Sequence, residues 1–108
     1  MSPDSNEKLT RMRARIFKAL ADPIRLKIIE FLRNGEKCVC EIVPNVGISQ
    51  PLVSRHLAIL KKCGLVKCRR EGNRRLYSVT NPAIFRVIDA VNASFVDALV
   101  KHVIEQIV

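Results

Sequence analysis

Between Ser49 and Thr80 the chain changes its hydrophobic period, and this change restricts the fold more than any other feature. From Ser49 to about Cys63, Val53, Leu57 and Leu60 recur at helical spacing, with Ser49 as an N-cap residue and Pro51 tolerable in the first turn. Gly64 can take the left-handed conformation that ends a helix. Two β-type runs follow, Leu65 to Arg70 and Arg75 to Thr80, around the turn Glu71-Gly-Asn-Arg74. A short apolar stretch, Cys38 to Val43, precedes this unit and is expected to stop before Pro44 or soon after it, because proline disfavours helix in the residue before it. A short helix, a tight turn and a second helix form a helix-turn-helix, and a basic hairpin directly after it is a wing.

The flanks complete the outline. Leu9, Met12, Ile16, Phe17 and Leu20 predict a first helix, and Asp22-Pro23 opens a second that ends at Asn34-Gly35. Asn81-Pro82 opens a long helix toward the C-terminus. In it Ile84, Ile88, Val91, Phe95, Ala98 and His102 stand at a/d spacing, with Val87, Val96, Leu99, Val100, Val103, Ile104 and Ile107 beside them. A helix apolar on so many sides is buried, and in a chain of 108 residues the expected cover is a second copy. The reading is a single winged helix-turn-helix domain over 1–108, mainly α with a small β-hairpin. Residues 7–20 and 82–108 are its dimerisation helices, 38–63 the helix-turn-helix and 65–80 the wing.

Composition decides among function classes. The net charge of +9 attracts polyanions, although a basic surface of other origin has the same total. Its distribution is more informative, since Lys67, Arg69, Arg70, Arg74 and Arg75 lie within nine residues beside the second helix. Arg55, Ala58 and Lys62 point away from that helix's core face, with Ser54 to one side and Gln50 in the first turn, where recognition helices meet base edges. Glutamine suits adenine, arginine suits guanine and serine either, while the hairpin cations reach phosphates or the minor groove. No apolar run is long enough to span a membrane and the N-terminus has no signal-peptide pattern, so the expected location is the cytoplasm. No catalytic triad, carboxylate pair, phosphate loop or dinucleotide fingerprint is present, and an enzyme is not expected. The competing class is an architectural protein that coats DNA without sequence preference.

Phe17-Lys-Ala-Leu-Ala-Asp-Pro-Ile-Arg-Leu-Lys-Ile-Ile, Cys38-Val-Cys-Glu-Ile, Ser49-Gln-Pro-Leu-Val-Ser-Arg-His-Leu, Gly64-Leu-Val and Arg69-Arg-Glu-Gly-Asn-Arg-Arg-Leu-Tyr together strongly resemble the ArsR family, over about residues 14 to 80. These are small winged-helix repressors, often responsive to arsenite or metals. The resemblance implies a homodimer on double-stranded operator DNA, released by a ligand, and places Gln50, Ser54 and Arg55 at the family's DNA-contacting positions. The full expected DNA face is Ser49, Gln50, Ser54, Arg55, Lys62, Arg69, Arg70, Arg74 and Arg75. His56 falls on the flank of the buried face and reads as structural.

Cys38 and Cys40 fall where arsenic-sensing members carry a Cys-Val-Cys pair, and soft thiolates suit As(III), Sb(III), Cd(II) or Zn(II). On a helix, side chains two residues apart diverge by about 200°, so joint binding requires an irregular or unwinding helix start. Val43 stands where some relatives carry a third cysteine. Cys63 and Cys68 are expected to pack, with a redox pair of their own as the alternative, rather than complete the site. Zinc-sensing relatives suggest a second metal set, Asp89, His102 and Glu105, in which Val91 replaces the first histidine. No cofactor is expected to be needed for folding. The inducer is expected to be As(III), Sb(III) or a soft divalent ion, with a thiol-redox input or a ligand-independent repressor as alternatives.

Overall fold

The computed structural model describes residues 3–107. Its elements are α1 (Pro3–Leu20), α2 (Pro23–Phe31), β1 (Lys37–Cys38), α3 (Val39–Val46), α4 (Gln50–Lys62), β2 (Val66–Glu71), β3 (Arg74–Val79), α5 (Ala83–Ala90) and α6 (Ala93–Ile107), with a single 3₁₀ turn at Leu32–Asn34. The architecture is mainly α with a small antiparallel sheet, arranged as a winged helix-turn-helix. No helix among the described residues is long and apolar enough to cross a membrane.

Local chemistry sets the boundaries. Asp22 caps α2: its Oδ1 accepts the amides of Ile24 at 2.8 Å and Arg25 at 3.1 Å. At the end of α4, Gly64 donates to the Lys61 carbonyl and Leu65 to the Leu60 carbonyl, each at 3.0 Å. This pair of bonds requires a left-handed residue, and Gly64 supplies it at φ +86°. The wing turn is tighter than the four residues expected. Register runs Arg70 to Arg75 and Glu71 to Arg74, leaving Gly72 and Asn73 as a two-residue turn with Gly72 at φ +62°.

Helix α3 passes Pro44 and ends soon after it, at Val46, where Gly47 closes it at φ +79°. Ile42 and Val46, one turn apart, are both buried, and this packing offsets the hydrogen bond that Pro44 cannot donate. Two expectations are corrected. First, the C-terminal helix is two helices broken at Val91-Asn92. Asn92 Oδ1 accepts the Phe95 amide at 2.9 Å and starts α6 afresh, and α6 runs to Ile107, Val108 lying outside the described residues. Second, the sheet has three strands in the order β1-β3-β2, with Cys38 opposite Leu76. A two-residue strand is too short to show any alternation, and only its partner on β3 makes it one.

One core serves the chain. Ile28, Ile29, Ile42, Val53, Leu57 and Leu60 are wholly buried, and Ile84 and Phe85 of α5 join them. In contrast, α6 buries no residue. Phe95, Leu99, Val103 and Ile104 are each about half exposed, and Leu9, Met12 and Phe17 of α1 are similarly open.

Candidate nucleic-acid interface and thiol site

On α4, Val53, Leu57 and Leu60 pin one face to the core, so Gln50, Ser54, Arg55 and Lys62 are all exposed on the remainder. Ser49 precedes the helix as its cap residue without a side-chain cap bond, which leaves its hydroxyl uncommitted to the helix. His56 is turned inward. Arg25 Nη1 donates to its Nδ1 at 3.2 Å and Asp22 Oδ1 lies 4.0 Å away, so His56 fastens α4 to the start of α2.

The wing cations divide into two groups. Arg69 is committed: its Nε and Nη2 donate to both oxygens of Glu36 at 2.7 Å, and Glu71 lies 3.0 Å away. The Arg69 guanidinium holds the Glu36 carboxyl below its ordinary range. Arg69 therefore braces β2 against the loop before β1. Arg74 leans toward Glu41 at 3.6 Å, whereas Arg70 and Arg75 have no carboxylate within ion-pair distance among the described residues. Arg70 and Arg75 are direct cross-strand neighbours, a repulsive placement that an anionic partner relieves.

The cysteine pair sits against this surface. Cys38 is extended (φ −73°, ψ 149°) because it ends β1 and caps α3, so only Cys40 belongs to the helix. The helical divergence expected from their spacing does not apply, and α3 need not unwind. Their Sγ atoms are joined as a disulfide, with Cα atoms 5.1 Å apart. Cys38 Sγ accepts the Cys40 amide at 3.1 Å, and the Cys38 amide donates to Glu41 Oε1 at 3.0 Å. This is a capping box with cysteine in the serine place, and the Glu41 three residues after Cys38 was its sequence signal. The same Glu41 oxygen faces Arg74, so the thiol site and the wing share one carboxylate.

A cleft of about 410 Å³ brings the two regions together, lined by Cys38, Cys40, Gln50, Ser54, Arg74, Arg75 and Tyr77. Burial, and then its hydrogen-bonded neighbour Cys68, push the Tyr77 phenol above its ordinary value. Cys63 and Cys68 do not line this cleft. Cys63 Sγ donates to the Leu60 carbonyl at 3.3 Å, and Cys68 stands opposite Tyr77 in the sheet.

The second expected metal set is not assembled within one chain. Asp89 lies on α5, and His102 and Glu105 lie on α6 beyond the helix break. Both Asp89 oxygens accept from Arg33 at 2.7 and 3.0 Å, which lowers the Asp89 carboxyl from its ordinary value. Arg33 also bonds Glu30 and stacks 4.6 Å over the Phe85 ring, fixing α5 to α2. Among the described residues no three His, Cys, Asp or Glu side chains are grouped to hold a metal ion.

A helix-turn-helix followed by a cationic two-stranded wing defines the winged-helix class of DNA-binding regulators. Residues 22–67 match the family described as bacterial regulatory protein, arsR family. The chain is 44% identical over 94 residues to a probable mercury resistance operon repressor of Streptomyces lividans, covering 82% of this chain and 75% of that protein. It is 34% identical over 82 residues to an arsenical resistance operon repressor of Staphylococcus xylosus, covering 73% and 79% respectively. It is also similar to the homodimeric winged helix-turn-helix DNA-binding domain of a possible ArsR-family regulator from Mycobacterium bovis. That match has a TM-score of 0.77 and 33% identity, covering 94% of this chain and 93% of that one. The chain belongs to the arsR family of transcriptional regulators, and its class is not enzymatic.

Proposed function

We propose that this chain is a homodimeric cytoplasmic repressor that holds operator DNA with α4 and the wing and releases it when Cys38 and Cys40 take up a soft ion. The observation that carries this reading is the shared cleft: the cysteine pair borders the same space as Gln50, Ser54, Arg74 and Arg75. In this reading Gln50, Ser54 and Arg55 meet base edges in the major groove, with Ser49 at the helix entry. Lys62, Arg70, Arg74 and Arg75 neutralise phosphates, and Arg69 acts through Glu36 by holding the wing's angle. The open apolar side of α6, with Leu9, Met12 and Phe17 of α1, supports a second copy as its cover.

Two thiolates are a donor set for As(III), Sb(III), Hg(II) or Cd(II), with remaining positions filled from outside the chain. Once a thiol reductant has opened the disulfide, a divalent ion displaces the two thiol protons to solvent, whereas arsenite or antimonite loses two hydroxyls with them as water. Either fills the cleft mouth beside Gln50 and Ser54. Uptake also alters the capping box, and Glu41 carries that change to Arg74. By linkage, the ligand lowers operator affinity by the factor by which the operator lowers ligand affinity. The names of the Streptomyces and Staphylococcus relatives support a mercury- or arsenic-class ligand.

The paired sulfurs favour a second input. With peroxide as oxidant, the two thiols form a disulfide and the peroxide becomes two waters, leaving no thiolate for a metal. Operator release titrated with As(III), Sb(III), Hg(II), Cd(II), Zn(II) and peroxide separates the two. Release by soft ions on reduced protein supports the metal reading, and release by peroxide alone supports the redox reading. No release by any of them rejects both and leaves a ligand-independent repressor.

A further inference from the structure

The recognition helix has a second flank. Opposite the wing, a cleft of about 400 Å³ lies between α1, α2 and the C-terminal half of α4. Arg15 and Lys18 of α1 stand on one side of it and Lys62 of α4 on the other, with Ala19 and Ile59 contributing apolar floor. Arg25 shapes the wall: its Nε donates to the Ala19 carbonyl and its Nη1 to His56, so it is fixed in place. Arg15, Lys18 and Lys62 are exposed, and none has a carboxylate within ion-pair distance among the described residues. On α1, Lys8, Arg11, Arg15 and Lys18 are spaced three, four and three residues apart, which aligns them as one basic stripe running into the cleft. The acidic residues of α1, Asp4 and Glu7, are at its far end.

A helix seated in the major groove is bracketed by both sugar-phosphate strands, since the groove is only about 12 Å wide. Here the protruding α4 is bracketed by two cation-lined clefts, one toward the wing and one toward α1. We infer that the α1-side cleft is a second phosphate-binding site, in which Arg15, Lys18 and Lys62 hold the DNA strand across the groove from the wing. The inference rests on the DNA face proposed above and assigns α1 a role in DNA binding besides assembly. Ala19 and Ile59 offer the deoxyribose an apolar surface, and the cations offer the phosphates neutralisation without reading sequence.

The test compares wild type, Arg15→Ala/Lys18→Ala and the charge-preserving Arg15→Lys/Lys18→Arg. Two duplexes serve, one of random sequence and one selected from a random pool by the wild-type protein, each titrated across a salt range. Losing two phosphate contacts per protomer makes the slope of log affinity against log salt shallower by about 1.8. Between about 50 and 200 mM salt, wild-type affinity then falls about twelvefold further per protomer than that of the alanine variant. Both duplexes are affected alike, and the charge-preserving variant keeps the wild-type slope. Equal slopes for the alanine variant and wild type overturn the inference while leaving the DNA face standing. A wild type with no salt-dependent duplex binding overturns both. Phosphate-ethylation interference on wild-type complexes needs no variant: protected phosphates on both strands flanking each groove support the inference, and phosphates on the wing-side strand alone overturn it.

Discussion

Removing apolar side chains from α6 should dissociate the protein without unfolding it, and the size of the effect follows from exposure. Leu99 and Val103 are one turn apart, 53% and 56% exposed in the single chain. Fully burying such a side chain is worth about 1.5–3 kcal/mol, so covering the open half contributes about 1 kcal/mol each. In a two-fold interface each residue counts twice, and Leu99→Ala/Val103→Ala should cost about 4 kcal/mol, roughly a thousandfold in dimer Kd. The assay is sedimentation velocity over a concentration series, with thermal unfolding read in parallel. A truncation must spare α5, because Ile84 and Phe85 belong to the monomer core. Truncation after Val91 removes α6 alone and should yield a folded monomer. An unchanged Kd in the double variant, or a tight dimer from the truncated chain, refutes the assignment of α6 to the interface.

Other outcomes follow from single sites. Arg55→Ala or Gln50→Ala should cost roughly 1–3 kcal/mol on a selected operator and relax its preference, measured as the ratio of operator to random-duplex Kd. Leu57→Ala removes a side chain with no exposure and should destabilise by about 2–5 kcal/mol in urea unfolding. Asp22, Glu36 and Asp89 all have folded-state pKa values below their ordinary ones, through backbone amides at Asp22, Arg69 at Glu36 and Arg33 at Asp89. A depressed folded value gives stability that is present above the unfolded pKa and lost as pH falls through the folded one. Stability should therefore hold from pH 7 to about 5 and decline below about pH 4, and Glu36→Gln should reduce that acid-side loss in pH-dependent unfolding.

The order of the helices up to α5 and of the hairpin was legible because it rests on local chemistry: the Asp22-Pro23 start, Gly64 after the last apolar position of α4, and turn residues between Arg70 and Arg75, though not the turn's two-residue length. The exposed face of α4 could be read from periodicity, since Val53, Leu57 and Leu60 fix what must point away. Features that depend on distant partners were not legible. Strand β1 exists through its pairing with Leu76 and Tyr77, and the Arg33–Asp89 and Arg69–Glu36 clamps join residues 56 and 33 positions apart. The geometry of Cys38 was hidden for the same reason, because pairing with β3 holds it extended and brings its sulfur to Cys40. The break at Val91-Asn92 did have a local signal, since Asn92 is a good N-cap and opens a new helix.

The cysteine pair's effect on DNA release is the most direct test of the proposed switch. Reduced wild type and a Cys38→Ser/Cys40→Ser variant, bound to a selected operator duplex, are titrated with arsenite and with Hg(II) and followed by fluorescence anisotropy. The two should bind DNA with equal affinity before addition. Wild type should then lose roughly 5- to 150-fold in affinity, the usual range of such coupling, while the variant stays bound. A variant that leaves the operator as readily as wild type would place the sensor elsewhere in the molecule and contradict the role given to the shared cleft.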